Sequence, residues 1–190
     1  MRRIWIGVGM ALATLMAACG AGRVIFNVDV YSFMTGAAQD TVFYPAVPPF
    51  TSSLTLSNPA QQVNLVPGLG QSGIDTVKVS GTAIVMNQAG GPGSLQFQVY
   101  LAADSLGTYG AGKDSMFSPA PTATIPFGVS TQTLVFAAPN LSPSGDSLFS
   151  NSSVWVRMAA TVSNTGATPM SGKAVLTGLD VRVVVTDQLF

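Results

Sequence analysis

The chain is 190 residues long, with a formal net charge of zero, no histidine and only 8 % charged residues. Hydrophobic residues make up 47 % of it, enough to build a core, so the scarcity of charge does not signify disorder. Without a basic excess nucleic acid is excluded as a partner, and without histidine so are Ser-His-Asp and Cys-His nucleophiles and histidine-held zinc or copper.

Arg2 and Arg3 open the chain, and Ile4 to Ala18 follow without a charge. That run is shorter than the roughly 20 apolar residues a membrane-spanning helix needs. It suits the apolar region of a secretory signal, which ends in small residues, here Ala17 and Ala18 before Cys19. An ordinary cleaved signal with a chance cysteine and a signal-anchor are the other readings of this layout. The stretch Leu15-Met16-Ala17-Ala18-Cys19 resembles the lipobox of bacterial lipoproteins, with Met16 where that family usually has Leu. The resemblance is confined to this segment. It implies cleavage before Cys19, a diacylglycerol on the Cys19 sulfur and often a further acyl chain on the new amino group, palmitate being typical. Residues 1–18 are then a signal peptide and 19–22 a lipidated tether. Two or three acyl chains hold a protein on a membrane stably, at about 0.8 kcal/mol per buried methylene. Gly20 stands where Asp would mark inner-membrane retention, so the resemblance implies an exported, outer-membrane location in the bacterial cell envelope.

Removal of residues 1–18 takes Arg2 and Arg3 with it and leaves six Lys and Arg against eight Asp. Residues 23–190 have the length of a single domain. With Cys19 as the one cysteine, no intramolecular disulfide forms.

Alternating patterns then run along the chain. "GRVIFNVDVYSF", "TVFY", "SLTL" and "QVNLV" are strand candidates, followed by "VKVSGTAIV" with Val77, Val79, Ala83 and Val85 on one face. "SLQFQVYLA" turns Leu95, Phe97, Val99 and Leu101 inward and Gln96, Gln98 and Tyr100 outward. After "TQTLVFA" come "SVWVRMAATVS", with Val154, Val156, Met158, Ala160 and Val162 inward, and "KAVLTGLDVRVVVTD", with Val175, Leu179, Val181, Val183 and Val185 inward. Period-two patterns with one polar face predict antiparallel sheets on a shared core, and "NQAGGPGS" and "SNTGATPMSG" read as turns. The expectation is an all-β fold, an antiparallel β-sandwich of eight or nine strands, immunoglobulin-like or jelly-roll in character. The terminal Phe190 raises a membrane barrel as the competing architecture, but Thr186 and Gln188 would share its lipid face and both are polar.

Between two of these strands, "GTYGAGKDS" places Gly107, Gly112 and Lys113 at phosphate-loop spacing. Asp114 occupies the position of the magnesium-holding Ser or Thr, and the prolines of "MFSPAPTATIPF" oppose the helix such a loop feeds. A glycine-rich connection is the reading adopted, with no nucleotide. Asp104 and Asp114 flank it and could share a calcium ion, although turn formation is the commoner use of such aspartates.

No glutamate is present, and the eight aspartates are scattered singly, which leaves no paired carboxylates in the sequence. No enzyme activity and no cofactor are expected. Trp155 and Arg157 share the outward face of their strand and form the candidate binding patch, able to stack on a sugar or to anchor a protein interface. Alternatively, Arg157 lies over the Trp155 ring as an internal cation–π contact. The tether Gly20–Gly22 reaches about 10 to 15 Å, so the domain is held close against the membrane. The leading expectation is a non-catalytic envelope lipoprotein, a structural or accessory subunit of a membrane-embedded or surface-layer complex, with the lipid on Cys19 and an envelope protein as partners. A carbohydrate- or small-ligand-binding lipoprotein is the alternative.

Overall fold

The computed structural model describes residues 22–34, 39–65, 73–110, 113–141 and 147–187. Cys19, the preceding signal segment and Phe190 lie outside these residues.

Among the described residues eleven strands form two antiparallel sheets: β1 (Gly22–Asp29), β2 (Thr41–Val47), β3 (Leu54–Ser57), β4 (Gln61–Asn64), β5 (Gly73–Asn87), β6 (Gly93–Ala102), β7 (Asp114–Ser115), β8 (Thr122–Ile125), β9 (Ser130–Ala138), β10 (Ser153–Asn164) and β11 (Met170–Asp187). A 3-10 turn, Tyr31–Phe33, follows β1. Sheet A runs β1-β11-β5-β9, with β2 also on β11. Sheet B runs β3-β10-β6-β7, with β4 also on β10 and β8 also on β6. The fold is the expected β-sandwich, with eleven strands in place of eight or nine. The two additions are β7, at the end of the glycine-rich connection, and β8, in the stretch that its prolines marked as irregular. Prolines between short strands interrupt the alternating pattern without preventing either segment from pairing with β6.

The inward faces meet in one apolar core. Phe97, Leu95 and Leu101 of β6, Val156 and Met158 of β10, and Leu176, Leu179 and Val183 of β11 are buried in it. Most inward residues are those the alternation selects; Val175 is the correction. The β11–β5 pairing slips between Leu176 and Gly178, a bulge that shifts the alternation by one residue. Upstream of it Ala174 and Leu176 point inward, and Val175 is only partly buried.

Close backbone approach explains the placement of Gly172. A Cβ there would stand 1.8 Å from the Met86 carbonyl and 2.6 Å from the Tyr44 hydroxyl. That hydroxyl donates to the same Met86 carbonyl at 2.6 Å, and burial of Tyr44 pushes its pKa well above the ordinary tyrosine value.

The register also fixes the two poles of the sandwich. Gly22 pairs with Asp187, so the chain enters at the pole where β11 ends. At the opposite pole, β5 passes to β6 and β10 passes to β11, and the β2–β3 and β8–β9 connections join them there.

Candidate functional site

Trp155 and Arg157 lie on the outward face of β10, opposite Ala102 and Tyr100 of β6. Trp155 is half-buried, with Gln62 of β4 as its other cross-strand neighbour. Arg157 is 5 % exposed. Its Nε and Nη2 both donate to the Thr108 carbonyl, at 3.0 and 2.8 Å. The guanidinium lies over the rings of Tyr100 and Tyr109, at 4.8 and 4.4 Å from their centroids. Burial lowers its pKa, while the neighbouring Tyr109 and Tyr100 act in the opposite sense. The cation–π contact therefore exists, but with two tyrosines and not with Trp155.

What covers Arg157 is the connection that follows β6. Its turns are local: Asp104 Oδ1 accepts from the Gly107 N–H at 2.7 Å, Thr108 Oγ1 donates to Ser105 O, and the Tyr109 and Gly110 N–H groups both donate to Leu106 O. The segment folds over the face of sheet B and buries Thr108 completely. Asp104 thus serves as a turn-former, as the commoner reading of its position holds. Lys113 places its Nζ 4.8 Å from the Tyr100 centroid, and strand β7 follows it directly. Among the described residues no group of three or more Asp or other ligating side chains converges on a metal position.

The pole opposite the chain entry carries a second candidate, which strand periodicity does not reveal. Four segments meet there: 48–53 (PPFTSS), 88–92 (QAGGP), 126–129 (PFGV) and 165–169 (TGATP). None of them contains a charged residue. Backbone bonds link them in sequence: Phe50 N–H to Gly166 O, Thr165 N–H to Pro92 O, Gly91 N–H to Pro169 O and Gly128 N–H to Gly90 O. Two buried asparagines complete the links. Asn164 Nδ2 donates to the Val47, Pro48 and Thr168 carbonyls, and Asn87 Nδ2 to those of Gly91 and Gly128. Asn87 Oδ1 is buried without a partner among the described residues.

On this fixed platform three apolar side chains stand in solvent: Phe50 at 73 %, Phe127 at 75 % and Val129 at 79 % exposure. Phe50 is held at φ 56°, a left-handed conformation that a bulky residue rarely adopts. Such strain persists where surrounding contacts over-determine it, and it concentrates at functional positions. The sequence signal was faint but present. "PPF" and "PFG" each set a large aromatic inside turn chemistry, where no strand pattern calls for one.

No family profile matches the sequence, and no characterised protein matches it either. Solved structures with a similar arrangement include a chain of infectious bursal disease virus, Gt strain, at 14 % identity and TM-score 0.42, covering 88 % of this chain and 34 % of that one. The chain therefore spans about a third of the viral protein's length. A carbohydrate-binding module that recognises mannan is similar at 13 % identity and TM-score 0.35, covering 85 % of this chain and 98 % of the module. Modules of a Clostridium thermocellum endo-1,4-β-D-xylanase complexed with xylohexaose are similar at 11 % identity and TM-score 0.32, covering 87 % of this chain and 26 % of that one.

Proposed function

We propose that this is a non-catalytic lipoprotein of the bacterial cell envelope, most consistent with an outer-membrane location, that acts as an accessory subunit by docking a protein partner. The observation that carries the reading is the charge-free tip bearing Phe50, Phe127 and Val129 at the pole opposite the chain entry. A lipid on Cys19 would tether the entry pole through a few residues and leave the tip uncovered. Full burial of a phenylalanine contributes roughly 1.5–3 kcal/mol, so a partner that spans the pole and covers Phe50, Phe127 and Val129 gains several such contributions, on loops whose backbones are already bonded to one another. The sequence supports the non-catalytic part, since it lacks histidine and glutamate altogether. Carbohydrate binding remains the second reading, because Phe50 and Phe127 present exposed rings on which a sugar could stack.

The test uses the full chain in its native membranes. Cys19→Ser should release it from the membrane fraction, and retention at the parent level refutes the anchor. Phe50→Ser with Phe127→Ser should leave attachment intact and reduce co-purification of envelope protein at least tenfold. An unchanged yield refutes the tip, and loss of binding to isolated cell-wall glycans by the same variant transfers the role to sugars.

A further inference from the structure

Outer strands of a sheet expose unpaired N–H and C=O groups, and folded proteins protect such edges with charge, proline, brevity or a covering segment. Nearly every edge here has one of these devices. Strands β3, β4, β7 and β8 have four residues or fewer. Pro45 interrupts β2, and β1 carries Arg23 and Asp29 near its two ends.

Among the described residues strand β9 has none of them. Its nine residues, STQTLVFAA, include no charge, proline or glycine, and its pairing with β5 is unbroken by a bulge. It is the terminal strand of sheet A. In an antiparallel ladder alternate residues point their backbone groups away from the partner, here toward the open side. Near its start the Gln132 side chain reaches across to the Thr124 carbonyl of β8. At its end a groove of about 510 Å³ lies between Ala137–Asn140 and the Asp114–Met116 segment of sheet B, so on that side no described strand sits against the last residues of β9. Val135 projects from the outer face at 77 % exposure.

We infer that β9 is a self-association edge at which two copies of this chain pair antiparallel about a two-fold axis. Any extended segment could form the backbone bonds, but an added foreign peptide leaves its own far edge open. Two-fold pairing of β9 with β9 closes both unprotected edges at once and leaves only the protected ones exposed. Because β9 carries no charge, the pairing sets no like charges against each other. An edge about 30 Å long buries less than the roughly 1,000 Å² of a specific solution interface. Pairing is therefore weak in dilute solution and is strengthened when both copies share one membrane, which rests on the Cys19 anchor proposed above.

Single cysteines placed in turn at Thr131, Gln132, Thr133, Leu134, Val135 and Ala137 of the full chain test this, with Gln62→Cys on sheet B as control. Each variant is oxidised both in its membranes and at about 1 mM in detergent, the concentrated sample replacing the effective concentration that a membrane supplies. Because one residue of a symmetric antiparallel pair lies opposite itself, disulfide-linked dimer should peak at one position and fall away on either side, at least tenfold above the control. Thr133→Lys with Val135→Lys, added to the best cross-linking variant at a neighbouring site, should reduce the dimer at least tenfold without changing the thermal midpoint of the chain. No peak in either condition, a yield equal to the Gln62→Cys control, or indifference to the lysines overturns the inference. Membrane fractionation of the same samples reads the anchor separately, so failure of the tether and failure of the edge are distinguishable.

Discussion

Replacing Arg157 with Ala should release the segment that covers sheet B, and the structure sets the size of the effect. The substitution removes two charged donors from the carbonyl of fully buried Thr108, and a buried carbonyl left unpartnered costs about 1–3 kcal/mol. It also removes cation–π contacts with Tyr100 and Tyr109, each contributing roughly 0.5–2 kcal/mol. These contacts share one side chain and do not add, so the expected loss is about 3 kcal/mol. In a domain of this length that lowers the thermal midpoint by roughly 6–12 °C. Arg157→Lys keeps the charge but not the fork, and should lose about half as much. Amide hydrogen exchange separates a clamp from a generic core contact. The Gly107, Tyr109 and Gly110 amides are bonded within the covering segment and should exchange far faster in Arg157→Ala than the global loss of stability explains. Amides of β11 should change only by the global amount. Equal changes in the two regions would refute the clamp.

Tyr44→Phe removes the bond to Met86 and should cost about 1 kcal/mol at neutral pH. Burial raises the Tyr44 pKa in the folded chain, so the unfolded chain ionises first, at about pH 10. The stability Tyr44 contributes is then complete below about pH 10 and is lost above it, and thermal midpoints between pH 8 and 11 should fall more steeply in the parent than in Tyr44→Phe; parallel curves would refute this. Gly172→Ala should cost about 3–5 kcal/mol or prevent folding, because its Cβ would meet the backbone carbonyl of Met86 at 1.8 Å. Gly178→Ala, which meets only the Thr82 hydroxyl at 3.1 Å, should cost less than about 1 kcal/mol by urea unfolding.

Most of the fold was legible because each long strand has one face in the core, and burial enforces alternation. Strands β7 and β8 were not legible, since β7 has only two residues, prolines flank β8, and the pairing of both depends on β6 being in place. The Val175 error has the same character: a bulge is a property of two strands together, and the β11 sequence alone shows no break in its apolar content. The site was less legible than the fold. Trp155 and Arg157 do share a face, as alternation requires, but whether that face is open depends on where residues 103–110 fold. No periodicity governs a turn-rich connection, so the burial of Arg157 became visible only in three dimensions. The apolar tip escaped for the converse reason. Phe50, Phe127 and Val129 lie in segments outside every strand pattern, and backbone bonds among four distant loops bring those segments to one pole.

The distribution of the few charges gives the uncharged tip and the uncharged edge a common sense. Sheet A strands contain Arg23, Asp29, Asp75, Lys78, Lys173, Asp180, Arg182 and Asp187, whereas sheet B strands contain only Asp114 and the buried Arg157. Asp29, Lys78, Asp180 and Arg182 are exposed on the outer face of sheet A, so that face is the hydrated one. The outer face of sheet B depends on Thr, Ser and Gln instead, with Thr55 bonded to Thr161 and Gln62 to Ser153 across strands. In a pair related through β9 the two-fold axis stands normal to sheet A, so both copies turn their sheet A faces the same way and their sheet B faces the other. Their tips then lie at opposite ends of the pair. Such a plate has a charge-rich side on sheet A, a side poorer in charge on sheet B, where Asp104 and Lys113 sit on the covering connection, and an apolar docking point at each end.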